Sequence, residues 1–190
     1  MDILLSYNPE ILSPGHSRPI FGAQAIRSVL EDYRDAIHHV IAETAKKMNE
    51  GKTPDEIAQE VQLPPELATK PYLQEFYGKV SYAARAYFAG TVGWFDGNPT
   101  NLDRMAPAIE AEKFIALAGG ADRVLKAAQK AHEESDNQWA LALCDRLIAV
   151  SHHRDEATQI KIIALQMMAD KEINATARNY YLVYAKELAK

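Results

Sequence analysis

One uninterrupted helical pattern constrains the fold of this chain more than any other feature. From Ala23 to Gly51, apolar residues recur at the i, i+3/i+4, i+7 spacing of one helix face, for about eight turns or roughly 40 Å. The stripe contains Ile26, Val29, Leu30, Tyr33, Ile37, Val40, Ile41 and Met48. A small helical bundle does not cover an apolar stripe of this length, so we expect this helix to form part of a dimer surface.

Helical patterns continue to the end of the chain. Thr53-Pro-Asp-Glu56 has the spacing of a capping box, and residues 73–92 form a further predicted helix with an Ala- and Gly-rich face. Five more helices are predicted, at about 107–118, 121–134, 137–151, 155–169 and 174–189. Two of these helices start 34 residues apart, which is the period of a tetratricopeptide hairpin. The predicted fold is therefore all-α, built from antiparallel helix hairpins with tetratricopeptide-like stacking.

The first 22 residues follow a different pattern. They predict the end of a helix, then a short strand at Ile11-Leu12, then a Gly-His turn that leads into the long helix. A strand of two residues needs sheet neighbours for its backbone groups. We therefore interpret residues 1–22 as a strand-turn remnant at the end of an α/β domain, and residues 23–190 as a separate helical domain.

Composition excludes several classes of function. The chain has 21 Lys and Arg residues against 26 Asp and Glu, a formal net charge of −5, whereas a phosphate-binding face needs an excess of basic residues. No apolar run approaches the roughly 20 residues that span a bilayer. The single cysteine, Cys144, excludes an internal disulfide framework and a thiolate zinc finger. We therefore expect no nucleic acid partner and no transmembrane segment.

Only one histidine lies where the sequence by itself suggests chemistry. The chain lacks the common nucleotide-binding, metalloprotease and nucleophile-elbow motifs. His16 follows the predicted strand in a Pro-Gly-His-Ser-Arg-Pro turn, the type of position at which α/β folds place functional residues. The alternative is a solvated loop histidine, and the spacing does not decide between the two. Cys144 lies in an apolar stripe and is predicted to be a small core residue.

A second irregular segment interrupts the helical periodicity. In Gly93-Trp-Phe-Asp-Gly-Asn-Pro-Thr100, two glycines and a proline surround the large aromatic residues Trp94 and Phe95. Because no local interaction is expected to order such a loop, we predict that packing of these two side chains orders it.

Taken in order, these motifs resemble a known family. Residues Pro9–Gly22 resemble the final strand and histidine turn of metallo-β-lactamase-fold hydrolases. The motifs that follow, including Thr53–Ile57, Glu75–Gly78 and most specifically Gly93–Pro99, resemble the alkyl sulfatase (alkyl/aryl-sulfatase) branch of that superfamily. The resemblance covers nearly the whole chain. It implies that the chain is a fragment, which carries the end of a zinc-dependent catalytic domain and the all-helical dimerisation domain that follows it.

The resemblance also implies roles for individual residues. His16 is similar to the histidine that ligates one of two zinc ions in the family, where the other ligands come from motifs that this chain lacks. Arg18 is a candidate for binding the sulfate group. Four loop residues line the mouth of the catalytic cleft or serve only in packing: Trp94, Phe95, Asp96 and Asn98. The implied cofactor is a pair of zinc ions in the parent protein, with none bound stably by this chain.

The function that the resemblance implies is that of a dimerisation region in a hydrolase. The parent protein is expected to be a homodimer that hydrolyses alkyl sulfate esters to alcohol and sulfate. Its catalytic domain is expected to precede this region in the same chain, and this chain alone is expected to be inactive. Two alternatives stay open: a metallo-β-lactamase-fold hydrolase that acts on another ester, and a non-enzymatic helical interaction scaffold. The sequence predicts no cellular compartment.

Overall fold

The structure, a computed structural model, describes residues 1–190, which divide into the units Met1–Asn101 and Leu102–Lys190. The first unit contains the helices α1 (Asp2–Ser6), α2 (Ala23–Asn49), α3 (Pro54–Glu60), α4 (Pro65–Ala68) and α5 (Val80–Val92), and the strands β1 (Ile11–Leu12) and β2 (Ile20–Phe21). The second contains α6 (Pro107–Leu117), α7 (Ala121–Glu133), α8 (Asn137–Ala149), α9 (Arg154–Lys171) and α10 (Ala175–Leu188). The predicted all-α fold is confirmed. No helix in either unit combines the length and the hydrophobicity that a membrane span requires.

The chain begins with a short helix and a hairpin that pack on α2. The predicted strand at Ile11-Leu12 is confirmed, and it pairs antiparallel with β2, a strand that the sequence analysis did not predict. Leu12 and Ile20 pack against a buried cluster formed by Leu5, Ile26 and Leu30. The backbone groups of the short strand therefore find a neighbour within this chain. The domain boundary after residue 22 stays a prediction.

The long helix α2 spans 27 residues and begins where the periodicity predicts. The Gly22 carbonyl accepts its first hydrogen bond, from the Ile26 amide at 3.1 Å, and Gly22 has a φ of 93° that favours glycine. The helix ends two residues before Gly51. Its buried face includes Ile26, Leu30, Val40 and Thr44. Ile37 and Ile41, which belong to the same predicted stripe, remain exposed in the single chain.

The helices α3 and α5 cover the C-terminal half of α2. The capping box at the start of α3 is confirmed: the Glu56 amide donates to the Thr53 hydroxyl at 3.3 Å, and the Thr53 amide donates to the Glu56 carboxylate at 2.8 Å. A shared apolar cluster joins the three helices and consists of Val40, Ile57, Val61, Ala84 and Phe88.

The predicted helix over residues 73–92 is only partly correct, because its helical part begins at Val80. Side chains satisfy the backbone groups of the preceding residues in place of helical hydrogen bonds. The Gln74 amide donates to the carbonyls of Ala68 and Lys70 at 2.8 and 3.1 Å, and the Glu75 carboxylate accepts from the Val80 amide at 2.8 Å. The residues between Gln74 and Val80 therefore lie outside the helix, although the periodicity predicts them within it.

The five helices of the second unit form successive packed pairs, and their bounds agree with the predicted segments to within about two residues. One buried cluster contains Ile115, Val124, Ala128, Leu143, Cys144, Leu147 and Ala157. A second cluster contains Leu141, Ile162, Ala164, Leu165 and Ala185. The apolar stripes predicted for these helices therefore pack into these two clusters. The finer assignment to tetratricopeptide-like stacking stays a prediction.

A charged side chain is buried among these helices. Lys161 on α9 is 8% exposed, forms an ion pair with Asp145 on α8, and lies 4.8 Å from the ring centroid of Tyr184 on α10. A buried cation costs free energy unless charged or aromatic groups compensate it. The pair and the ring therefore restrict how α8, α9 and α10 can pack against one another.

Two leucines in the second unit allow a matched test of this core. Leu147 is fully buried, whereas Leu117 at the end of α6 is 89% exposed. We expect Leu147→Ala to lower the free energy of unfolding by about 2–5 kcal/mol, because it removes buried methyl groups and leaves a cavity. Leu117→Ala is expected to change it by less than about 0.5 kcal/mol. Urea unfolding followed by far-ultraviolet circular dichroism measures both; equal effects would contradict the described core.

Candidate functional site

The loop between β1 and β2 carries the candidate ligand His16. Hairpin pairing holds the two ends of this loop together, and so does a hydrogen bond from the Gly22 amide to the Glu10 carbonyl at 2.9 Å. The His16 side chain is exposed, and neither ring nitrogen forms a hydrogen bond within the chain. An accessible imidazole with unpaired nitrogens is a suitable donor for a metal ion.

One aromatic ring packs against His16. The ring of Tyr77 is stacked on the imidazole, with 5.3 Å between the ring centroids and 26° between their planes. Tyr77 lies between Gln74 and Val80, in the segment that the sequence analysis assigned to a helix. This contact therefore could not have been predicted from helical periodicity. The available signal was the motif Glu75-Phe-Tyr-Gly78, which carried the family resemblance without an assigned role.

A polar cluster ties the chain before Tyr77 to α2. The Tyr72 hydroxyl donates to the Asp32 carboxylate, and Lys70 lies 3.1 Å from the same carboxylate. The Tyr33 hydroxyl donates in turn to the Tyr72 carbonyl at 2.5 Å. These contacts attach residues 70–72 to the middle of the long helix, although the two segments are far apart in the sequence. No local pattern in the sequence predicts this cluster.

Ionisation of the cluster follows from these contacts. The hydrogen bond from Tyr72 holds the pKa of Asp32 below its ordinary value, burial opposes this shift, and Lys70 assists it. The same hydrogen bond to Asp32, together with burial, raises the pKa of Tyr72. The folded chain therefore favours a carboxylate on Asp32 and a neutral phenol on Tyr72 over a wide pH range.

The other candidate in the hairpin loop is Arg18. Its side chain is exposed, and it forms no ion pair or hydrogen bond within the chain. The structure places it two residues from His16 in the same loop. Its predicted contact with a sulfate group stays a prediction.

The loop of Gly93–Thr100 is ordered differently from the prediction. Trp94 is 75% exposed and contacts Phe95 edge-on, with 5.9 Å between the ring centroids. Polar groups make the turns instead: the Asp96 carboxylate accepts from the Asn98 amide at 3.0 Å, and the Asn98 side chain accepts from the Thr100 amide at 3.2 Å. The expectation that packing of these two aromatic side chains orders the loop is wrong, because Trp94 remains exposed and polar groups form the turns. A role for these residues in a cleft wall stays a prediction.

The residues of this chain do not form a complete metal centre. No group of three or more His, Cys, Asp or Glu side chains lies close enough together to hold a metal ion. His16 has the chemistry of one ligand, whereas a zinc site requires three or four protein ligands. Cys144 supplies none, because it is fully buried and burial raises the pKa of its thiol to about 11.

The sequence of this chain is similar to that of known proteins of one family. The model of a family described as alkyl sulfatase dimerisation matches residues 53–190. A linear primary-alkylsulfatase from Pseudomonas sp. is 40% identical over 189 residues, which cover 99% of this chain and 36% of that protein. An (R)-specific secondary-alkylsulfatase from Pseudomonas sp. is 34% identical over 180 residues, which cover 94% of this chain and 27% of that protein.

The solved structures give the same result. The stereoselective inverting sec-alkylsulfatase Pisa1 from Pseudomonas sp. matches this chain with a TM-score of 0.92 and 34% sequence identity. The match covers 98% of this chain and 30% of that structure. The chain thus spans between 27% and 36% of the length of these curated relatives.

The Tyr72–Asp32 contact predicts a specific pH dependence of stability. The pKa of Asp32 is lowered in the folded chain, so its contribution is present above the unfolded value near 4 and is lost as the pH falls through the folded value. The pKa of Tyr72 is raised, so its contribution is present below the unfolded value near 10 and is lost as the pH rises through the folded value. Near neutral pH, Tyr72→Phe should therefore lower the free energy of unfolding by about 1–2 kcal/mol.

Urea unfolding of wild type and Tyr72→Phe from about pH 3 to about pH 11 measures this difference. We expect a plateau between the two limits and a smaller difference at each end. Tyr180→Phe is the control, because Tyr180 is exposed on α10 and its hydroxyl has no partner within the chain. A difference that does not change with pH would contradict the assigned hydrogen bond.

Proposed function

Because this chain belongs to the alkyl sulfatase dimerisation family, we propose that the protein of which it is part hydrolyses alkyl sulfate esters to an alcohol and sulfate. The observation that carries the proposal is the 40% identity to a linear primary-alkylsulfatase along 189 residues, which include both units and the His16 loop. The family match begins at residue 53, so the identity extends beyond the region that defines the family.

In this proposal the chain contributes one ligand to the metal centre and the helical surfaces that form the dimer. His16 supplies a single zinc ligand, and the remaining ligands come from parts of the protein outside this chain. A pair of bound zinc ions would provide a water of lowered pKa and positive charge for the sulfate group. The support for His16 is its exposed imidazole, whose nitrogens are free of protein partners. The closeness of Arg18 in the same loop supports its proposed contact with the sulfate anion.

The chain also forms a homodimer in this proposal. Two surfaces that single-chain folding leaves exposed support it. One is the part of the α2 stripe formed by Ile37 and Ile41. The other is the Ala- and Gly-rich side of α5, where Ala83, Ala86 and Gly90 are exposed and a second helix could approach closely. Exposed apolar helix faces of this kind are typical of subunit contacts.

The experiment that tests the proposed activity is sulfate release from dodecyl sulfate by the complete protein, with zinc measured in the same sample. We expect release that a chelator abolishes. No release in the presence of bound zinc would favour a hydrolase that acts on another ester. Absence of both zinc and release would favour a non-enzymatic scaffold.

Substitution of His16 tests its assigned role. In the complete protein, His16→Ala is expected to lower the zinc content and to reduce sulfate release at least about 100-fold, because the metal loses a ligand. The dimer should persist, since the loop lies outside the proposed dimer surfaces. His152→Ala is the control, because His152 is an exposed histidine of the second unit. Normal turnover by His16→Ala would refute the ligand assignment.

Substitution of Ile37 tests the dimer surface. Ile37 on α2 is 46% exposed and Ile109 on α6 is 49% exposed, so we expect the folded chain to tolerate a glutamate at either position. We expect Ile37→Glu to weaken the dimer at least about tenfold, because a charge is desolvated in the contact. Light scattering should then detect the 21.2 kDa chain at concentrations where wild type has twice that mass. Ile109→Glu should remain dimeric; a dimer of unchanged affinity in Ile37→Glu would exclude this part of α2 from the interface.

A further inference from the structure

We propose that Tyr77 is a positioning residue, which holds the imidazole of His16 in one orientation. The stack between the two rings, at 5.3 Å and 26°, is the only ring contact of His16. Both rings belong to this chain, so the orientation of the imidazole does not depend on any other part of the protein. Its consequence for metal binding rests on the proposed function, in which His16 is a zinc ligand.

The hairpin loop does not orient His16 by itself. No hydrogen bond within the chain reaches either imidazole nitrogen, and the side chain is exposed. Exposed side chains change rotamer freely, so an imidazole in such a loop would sample several directions. A metal ligand must present one nitrogen to the ion, and partners that fix the ring are commonly needed for this. The stacked ring of Tyr77 is the partner that the structure provides.

Tyr77 can serve this purpose because its own segment is fixed. Upstream, Tyr72 and Lys70 attach the chain to Asp32 on α2. Downstream of Tyr77, the backbone amide of Val80 at the start of α5 donates to the Glu75 carboxylate at 2.8 Å, which joins the segment to that helix. Tyr77 thus extends from a short segment that is restrained on both sides. The helical part of the chain thereby controls the geometry of a residue in the hairpin loop.

A purely structural role does not explain the position of Tyr77. Its side chain is 60% exposed and belongs to none of the buried clusters of the first unit. Its hydroxyl forms no hydrogen bond within the chain. The proposed role therefore requires the ring and not the hydroxyl, so phenylalanine should replace tyrosine without loss.

The orientation is tested by nuclear magnetic resonance of the 190-residue chain. In wild type, the ring current of Tyr77 should shift the His16 ring protons upfield from the values of an exposed histidine. Tyr77→Phe should keep this shift, and Tyr77→Ala should remove it, while the unfolding temperature stays the same. Tyr180→Ala, which removes another exposed tyrosine, should have no effect on His16. A His16 spectrum that is identical in wild type and Tyr77→Ala would overturn the proposal, and so would loss of the shift in Tyr77→Phe.

The consequence for the metal is tested in the complete protein by titration of Zn²⁺ against a chromophoric chelator. We expect Tyr77→Ala to weaken zinc binding about tenfold and Tyr77→Phe to bind as wild type does. Equal zinc affinity in Tyr77→Ala and wild type would overturn the positioning role if His16→Ala weakens binding. If His16→Ala also leaves the affinity unchanged, the ligand assignment fails, and the resonance experiment alone decides whether Tyr77 orients the ring.

Discussion

Burial of the apolar face of α2 is the interaction on which the first unit depends. Its N-terminal half packs against α1 and the hairpin through Ile26 and Leu30, and its C-terminal half joins α3 and α5 through Val40. The Asp32 carboxylate between these two regions holds the segment that contains Tyr72. One helix of 27 residues thus fixes three parts of the chain that contact one another little. Both the hairpin that carries His16 and the segment that leads to Tyr77 are thus attached to this helix.

Two separate segments of the chain form the candidate site around His16. The hairpin supplies the imidazole, and the stretch before α5 supplies the ring that lies on it. The seven-residue hairpin loop provides no contact that orients the imidazole, whereas side-chain hydrogen bonds hold the stretch before α5. Family membership rests mainly on the helical region from residue 53 onward. Because Tyr77 in this helical region stacks on His16 in the hairpin loop, the helical region also contributes to the proposed zinc site.

Much of the fold could be predicted from residue patterns, and two of the errors share one cause. The starts of α2, α3 and α7 follow from periodicity and capping residues, which are local properties of a helix. The start of α5 did not, since Gln74 and Glu75 satisfy backbone groups in a way that apolar spacing does not reveal. The loop after Gly93 was assigned to aromatic packing, whereas Asp96 and Asn98 form its turns. In both cases short-range polar contacts determine the backbone conformation, whereas the prediction used only the spacing of apolar residues.

The sequence by itself determined the helical class, the bounds of most helices, the family resemblance and the choice of His16 as the candidate ligand. These features depend on local spacing or on the identity of residues in a motif. Only the tertiary structure decided which residues surround His16 and which apolar side chains, such as Ile37, stay exposed. It also revealed the Asp32–Tyr72 contact. Such contacts join residues far apart in the chain, and their geometry depends on how α2 packs against the other elements, which no local pattern encodes.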